Sequence, residues 1–246
     1  MKATQLEFRF RLLIILLLYI IGFWAPWTWI AGHFGPPATT AWLAIPTLLD
    51  RWGWMRLEQA SLLVTWLAVV FGLAGALLRV WGTAYLSASV VHSSAMHGDQ
   101  VMASGPYRYV RNPLYLGSYL LGLSIAILMP PSGAAVFAVL LALFYFRLIL
   151  GEEAFLVSQS GESYLTYKRQ VPRLLPRLRR RIPSAAARPQ WLASMLAEVF
   201  PVIFSVCLAA LAWLYQPRVL IKCLLISFGL SLVARAFLPK EQASVE

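Results

Sequence analysis

Charge is scarce in this chain. Only 13% of its 246 residues are charged, and the acids number 10. A water-soluble domain of this length needs far more polar surface, so a freely soluble fold is excluded. Cysteine is nearly absent. Cys207 and Cys223 both fall in apolar stretches, which rules out a disulfide framework or a zinc site and leaves two small buried hydrophobes. The 3 histidines are no richer. His33 carries no signal, and His92 and His97 with Asp99 make one polar loop without a fourth ligand, so no metal is expected. No soluble basic domain accompanies the net charge of +11. That excess orients the chain and meets anionic lipid; it does not grip nucleic acid. A small-residue cleavage site is missing too. Lys2, Arg9 and Arg11 precede an apolar run from Leu12 to Phe23, but Trp24-Ala-Pro-Trp-Thr-Trp29 follows, so the segment reads as an uncleaved first span.

What is abundant is hydrophobicity, at 60% of residues. A bilayer core of ~30 Å takes about 20 apolar helical residues. Six stretches meet or approach that length: Phe10–Ile30, Ser61–Leu86, Leu114–Met129, Ala134–Leu150, Leu196–Tyr215 and Val219–Leu238. The expected fold is therefore all-α and polytopic, with about six transmembrane helices. Trp42–Leu49, broken by Pro46, is too short to cross and lies at the interface or re-enters. With the N-terminus inside, the inner segments carry Lys2, Arg9, Arg11, Arg108, Arg111 and a run from Lys168 to Arg188 in which every charge is basic. The outer segments carry Arg51, Arg56, Arg218 and Lys222. The positive-inside rule then places both termini in the cytoplasm, for an inner or plasma membrane. The basic run serves as a topology anchor, as an attractor of anionic headgroups, or as both. No internal repeat is visible, and nothing fixes the oligomeric state.

The third and fourth stretches are the informative ones. Pro130, Pro131, Ser132 and Gly133 alone separate them, which predicts a tight central helical hairpin of two nearly equal arms. Their far ends then return to one depth. One end carries Gly105 to Gly117, the other Gly151-Glu152-Glu153. Asn112 before Pro113 is a good helix start, and the free amides of that first turn, with Arg111 beside them, favour an anion. Tyr107, Tyr109 and Tyr115 add aromatic faces, and Glu152 and Glu153 add negative charge. A ligand bearing a carboxylate, an ammonium and an aromatic base matches this set; so does a plain surface pairing of Arg111 with a glutamate. Arg79 and Arg147 lie inside spans, where they either snorkel or bind an anionic substrate group, with Arg147 the better placed for the second role.

The spacing of these residues resembles the isoprenylcysteine carboxyl methyltransferase family, which is related to the phosphatidylethanolamine N-methyltransferases. The matching positions are Gly105-Pro-Tyr107, Arg111-Asn-Pro-Leu-Tyr-Leu-Gly117, Glu152-Glu153, Gly161-Glu-Ser-Tyr164-Leu-Thr-Tyr167 and Val171-Pro172 through Pro176. The resemblance implies S-adenosylmethionine as cofactor, with Asp99, Gln100, Val101, Met102, Tyr107, Asn112, Pro113, Leu114, Tyr115 and Glu152 as its contacts; Arg111 joins them by its place at the helix start. Two positions depart from the family pattern: Asn112 stands where the family has His, and Asp99 where a first His is expected. Arg147 and Glu153 are the candidates for acting on the reactants. The reaction implied is an in-line displacement at a sulfonium methyl, dominated by positioning and exclusion of water, with a lipid-like or isoprenylated acceptor. A scaffold or lipid-binding protein that lost the chemistry, and a nicotinamide-dependent sterol reductase relative, are the alternatives. The expected organisation is a first span and outer connection (1–60), a methyltransferase core with cytoplasmic cofactor segments (61–176), a basic linker (177–193) and a C-terminal hairpin (194–246).

Overall fold

A computed structural model describes residues 2–24, 40–86, 104–177, 188–214 and 217–236. These form helices α1 (Gln5–Arg9), α2 (Arg11–Trp24), α3 (Ala41–Arg51), α4 (Leu57–Tyr85), α5 (Pro113–Ala126), α6 (Pro131–Gln170), α7 (Trp191–Ala197), α8 (Val199–Leu214) and α9 (Pro217–Ala236), with a 3-10 turn at Gly105–Arg108. No strand occurs among the described residues. Helices α4 and α6 are long and apolar enough to cross a bilayer, and the bent pair α7–α8 makes a third if counted as one; α2 and α5 are shorter apolar helices. The chain is an all-helical, multi-pass membrane protein.

Helix α4 shows why these sequences suit lipid. Its outward face carries Leu63, Trp66, Leu67, Val70 and Leu77, all exposed, whereas its inward stripe is Ala60, Ala68, Gly72, Gly75 and Ala76. Apolar outside and small inside is the pattern of a membrane helix, where close backbone approach replaces hydrophobic exclusion as the packing force. The approach is closest against α5. A side-chain carbon at Gly75 would fall 2.7 Å from the Gly117 carbonyl, and one at Gly117 would fall 2.8 Å from the Gly75 carbonyl and 2.9 Å from Arg79 Cγ. The motif glycine at 117 is thus the gap through which the Arg79 stem crosses α5.

Helix α5 sits between two cores. On one side Phe8, Leu18, Met129, Phe137, Leu141 and Tyr145 pack α1, α2 and α6 together; on the other, Val69 and Leu121 meet Phe204 and Leu208 of α8. From α5 to α6 the contacts step in opposite directions: Gly122 against Leu141, the Tyr115 and Tyr145 rings at 5.7 Å, and Asn112 reaching Glu153 at 3.3 Å. Helix α3 covers the bend between them, with the Ala41 and Trp42 amides donating to the Met129 and Ile127 carbonyls at 2.7 and 2.8 Å.

Two expectations need correcting. The arms are not equal: the helical chain continues past Leu150 to Gln170, broken at Gly161 (φ +52°, ψ −129°), and this second half buries Glu153, Tyr164 and Tyr167. The expected span Leu196–Tyr215 is not one straight helix either. It breaks by 71° at Glu198, which leaves the helical region at φ −106°, ψ 26°.

At the other end of the chain order, Thr4 and Glu7 form a capping box that starts α1. Both Glu7 oxygens accept from Arg147 at 2.9 Å, and the Ala3 amide donates to the Arg147 carbonyl at 3.1 Å. This holds the Glu7 carboxyl down, from 4.5 to about 2, chiefly through the Arg147 hydrogen bond. Glu7 therefore stays ionised when folded at pH values where the unfolded chain protonates it. The link contributes fully above pH 4.5 and fades as pH falls towards 2. Thermal unfolding followed across that window should fall more steeply for wild type than for Glu7→Gln. Separately, Gly117→Ala should lower stability by about 1–3 kcal/mol through overpacking, read by thermal unfolding in detergent.

Candidate active site

The chemistry-bearing stretches meet where α5 begins and the second half of α6 folds over it. Gly105 takes φ +54°, a conformation open to glycine, and a side chain there would run into the Tyr85 ring. Its turn lets Tyr107 point inward. The Tyr107 carbonyl accepts from Tyr167 Oη at 2.7 Å, and Tyr164, Tyr167 and Val171 form a small core beside it. Past α6 the chain runs back along residues 109–112: the Arg111 amide donates to the Pro172 carbonyl at 2.9 Å and the Arg177 amide to the Tyr109 carbonyl at 3.1 Å. The Gly161-to-Tyr167 and Val171-Pro172 stretches thus act as a strap that fixes the turn carrying Tyr107 and the cap of α5.

At the centre of this junction lies Glu153, 2% exposed. Arg173 donates to it from Nη2 at 2.9 Å and from Nε at 3.1 Å, Arg111 approaches at 3.2 Å, Asn112 at 3.3 Å and Lys168 at 3.9 Å. The pairing with Glu153 raises the Arg173 guanidinium further above its ordinary range. A carboxylate so deep in the protein is tolerable only with such partners. Asn112 is the N-cap residue by position, but its side chain makes no cap hydrogen bond; its amide goes to Glu153 and, at 3.2 Å, to the Arg173 carbonyl. The departure from histidine thus preserves a donor that ties α5 to α6 and the strap.

Glu152 has a different setting. Tyr115 stands beside it as a hydrogen-bond partner, and the Arg11 guanidinium acts on it through space. Buried donors at this junction that have no hydrogen-bond partner among the described residues include the Tyr107 hydroxyl and Arg111 Nε. Burial pushes the Tyr107 hydroxyl above its ordinary range, and the Glu152 carboxylate pushes it the same way. Unsatisfied buried groups are rare and point to something that completes them. On the far side of Tyr115 a cavity of about 300 Å³ opens between α5 and α6, walled by Tyr119, Leu143, Tyr145, Phe146 and Leu174. Its lining is almost wholly apolar, and Leu143 and Phe146 also face outward.

The structure brings together Tyr107, Arg111, Asn112, Pro113, Leu114, Tyr115, Glu152 and Glu153. Asp99, Gln100, Val101 and Met102 lie outside the described residues. Arg147 stands apart from this group, spent on Glu7. Arg79 is paired with Glu198 instead of snorkelling, Nε to Oε2 at 2.7 Å and Nη2 to Oε1 at 2.8 Å. Glu7 and Glu198 escaped the sequence reading. The signals were there: a Thr-x-x-Glu box before an apolar run, and a lone acid inside an otherwise apolar stretch.

Residues 63–162 match the phospholipid methyltransferase family. Over that stretch the chain is similar to this family of methyltransferases. It is similar to the protein-S-isoprenylcysteine O-methyltransferase of Schizosaccharomyces pombe, 34% identical over 88 residues, covering 35% of this chain and 37% of the relative. The mouse and human proteins of the same name are 27% and 28% identical over 150 and 151 residues, each covering 56% of this chain. The chain spans about half the length of the mammalian relatives, 50% and 49%. No solved structure matches.

The two neighbouring glutamates should separate experimentally. Glu153→Gln leaves the buried Arg111 without its counter-charge and should cost about 3–5 kcal/mol. Glu152→Gln keeps an acceptor for Tyr115 and touches none of the cations around Glu153, so it should leave thermal unfolding close to wild type. Equal losses for both would contradict the assignment of Glu153 as the structural hub.

Proposed function

We propose that this chain transfers a methyl group from S-adenosylmethionine to the carboxylate of an isoprenylated cysteine, or of a similar lipid-like acceptor, at the cytoplasmic membrane face. The observation that carries the reading is the buried junction itself. Tyr107 and Arg111 each keep a buried donor without a hydrogen-bond partner among the described residues, Glu152 acts on Tyr107 and holds Tyr115, and Tyr115 also lines the apolar cavity. These residues fit the cofactor: Arg111 and the first-turn amides of α5 suit its carboxylate, Glu152 suits its ammonium, and the Tyr107 hydroxyl suits an acceptor atom. Asp99 to Met102 are further contacts by resemblance. When bound, the cofactor supplies an electrophilic methyl on a cationic sulfur.

The remaining work falls to this chain's residues. Tyr115 divides the polar pocket from the apolar cavity, so an amphiphile lying in that cavity presents its polar end beside Glu152. Arg173, stacked 5.5 Å over Phe146, keeps the cavity's cytoplasmic end cationic and attracts an anionic acceptor. Glu153 serves by fixing Arg111 and Asn112. Arg147 serves by seating the N-terminal segment. Little else is required, since a carboxylate acceptor needs no general base and alignment with exclusion of water supplies most of the acceleration. The likeness to isoprenylcysteine enzymes supports the acceptor class, and the basic excess of the inner segments supports an orientation with both termini and the site in the cytoplasm of an inner or plasma membrane, the six apolar segments serving as spans.

The test is incubation of the purified chain in lipid nanodiscs with methyl-labelled S-adenosylmethionine and an S-farnesylated cysteine. Label released as methanol by mild base identifies a carboxyl methyl ester. Base-stable label in phospholipid would move the acceptor to an amine, and no label with no cofactor binding would favour a scaffold. Glu152→Gln should weaken cofactor binding at least tenfold in titration.

A further inference from the structure

The C-terminal helices lie beyond the segment that matches the family and carry none of its motifs. They nonetheless enter the core. Helix α7 caps α4: the Gln190 amide donates to the Ala84 carbonyl at 2.7 Å, and the Ser194 hydroxyl to the Val80 carbonyl at 2.5 Å. The Ala84 carbonyl lies in the last turn of α4, where helix geometry supplies no intrahelical donor, and the Val80 carbonyl accepts Ser194 as an added bond. The helix then breaks at Glu198, and the break turns that carboxylate inward to 1% exposure.

Glu198 is completely satisfied there. Arg79 binds both of its oxygens, and Thr83 Oγ1 donates to Oε1 at 2.9 Å. Arg79 continues to Ser118 Oγ of α5 at 2.5 Å, having crossed the bare backbone of Gly117. The same stretch of α4 forms the floor under Tyr107, since a side-chain carbon at Gly82 would sit 3.6 Å from the Tyr107 hydroxyl. The orphaned hydroxyl and the ion pair are thus held by neighbouring residues of one helix, Gly82 and Thr83. A buried pair of this kind adds little net stability over an apolar substitute; what it fixes is geometry. An ionisable pair deep in a membrane helix bundle is in addition more often functional than not.

We infer that Glu198 is a positioning residue of the methyltransferase site: by clamping Arg79 and Thr83 it sets the place of α4 under Tyr107, so that the C-terminal helices complete the cofactor pocket. This rests on the functional reading above. Glu198 touches neither reactant and acts through α4, and α7 acts with it by closing the end of α4 from which the chain leaves towards Asp99.

The test is titration of S-adenosylmethionine into purified full-length protein, with thermal unfolding measured in parallel. Glu198→Gln is expected to weaken binding at least tenfold. Thr83→Val, which keeps the ion pair and the helix shape, is expected to weaken it several-fold with an unfolding temperature near wild type. Combined with Tyr107→Phe, the losses should be less than additive, because both act on one pocket. Wild-type affinity in Thr83→Val, or fully additive losses, would overturn the inference and reduce Glu198 to a structural anchor. Should Glu198→Gln not fold, Thr83→Val and its double with Tyr107→Phe decide alone. Failure of the wild type itself to bind the cofactor overturns the functional reading and this inference together.

Discussion

A carboxylate taken out of water has to be neutralised where it stands, and Glu153 imposes that demand on the whole cytoplasmic end of the bundle. Its partners come from three separate places: Arg111 and Asn112 ahead of α5, Lys168 near the end of α6, and Arg173 on the strap beyond it. None of these contacts is local in sequence except along α6. Satisfying one buried charge therefore fixes the start of α5, the overrun of α6 and the return of the chain in a single arrangement. The tyrosines follow, because Tyr107 is pinned by Tyr167, whose position depends on the same overrun.

The adjacency of Glu152 and Glu153 conceals a division of labour. Neighbours on a helix point about 100° apart, so one faces the strap and its cations while the other faces Tyr115. The sequence reading weighed both as chemical groups, since it contained nothing to say which way each would turn. It did place the two ends of the central pair of helices beside one another, because a short Pro-rich bend leaves few options. It could not foresee that α6 would continue. That continuation depends on Tyr164 and Tyr167 finding a partner surface at the Gly105 turn, a tertiary contact between residues with 60 positions between Tyr107 and Tyr167.

Polar residues inside apolar stretches were the hardest to read. Arg79 and Arg147 look alike in the sequence, each an arginine near the end of a span. The structure treats them differently: one crosses a glycine to reach a buried acid, the other turns outward to a capping box. The difference lies in what the rest of the chain delivers to each, and neither acid is near its arginine in sequence. The small-residue stripe of α4 was equally visible as letters, but its meaning depends on Gly117 facing Gly75. The lipid-facing character was plain from composition alone; the pairings inside the bundle were not.

The route of Arg79 has a bearing on biosynthesis. Its counter-charge lies 119 residues further along the chain, and a ribosome delivers the N-terminal part first. During that interval the arginine has no acid to meet, and a lone guanidinium is costly at membrane depth. The Arg79–Glu198 clamp can therefore close only after the chain has been made as far as the bend before α8.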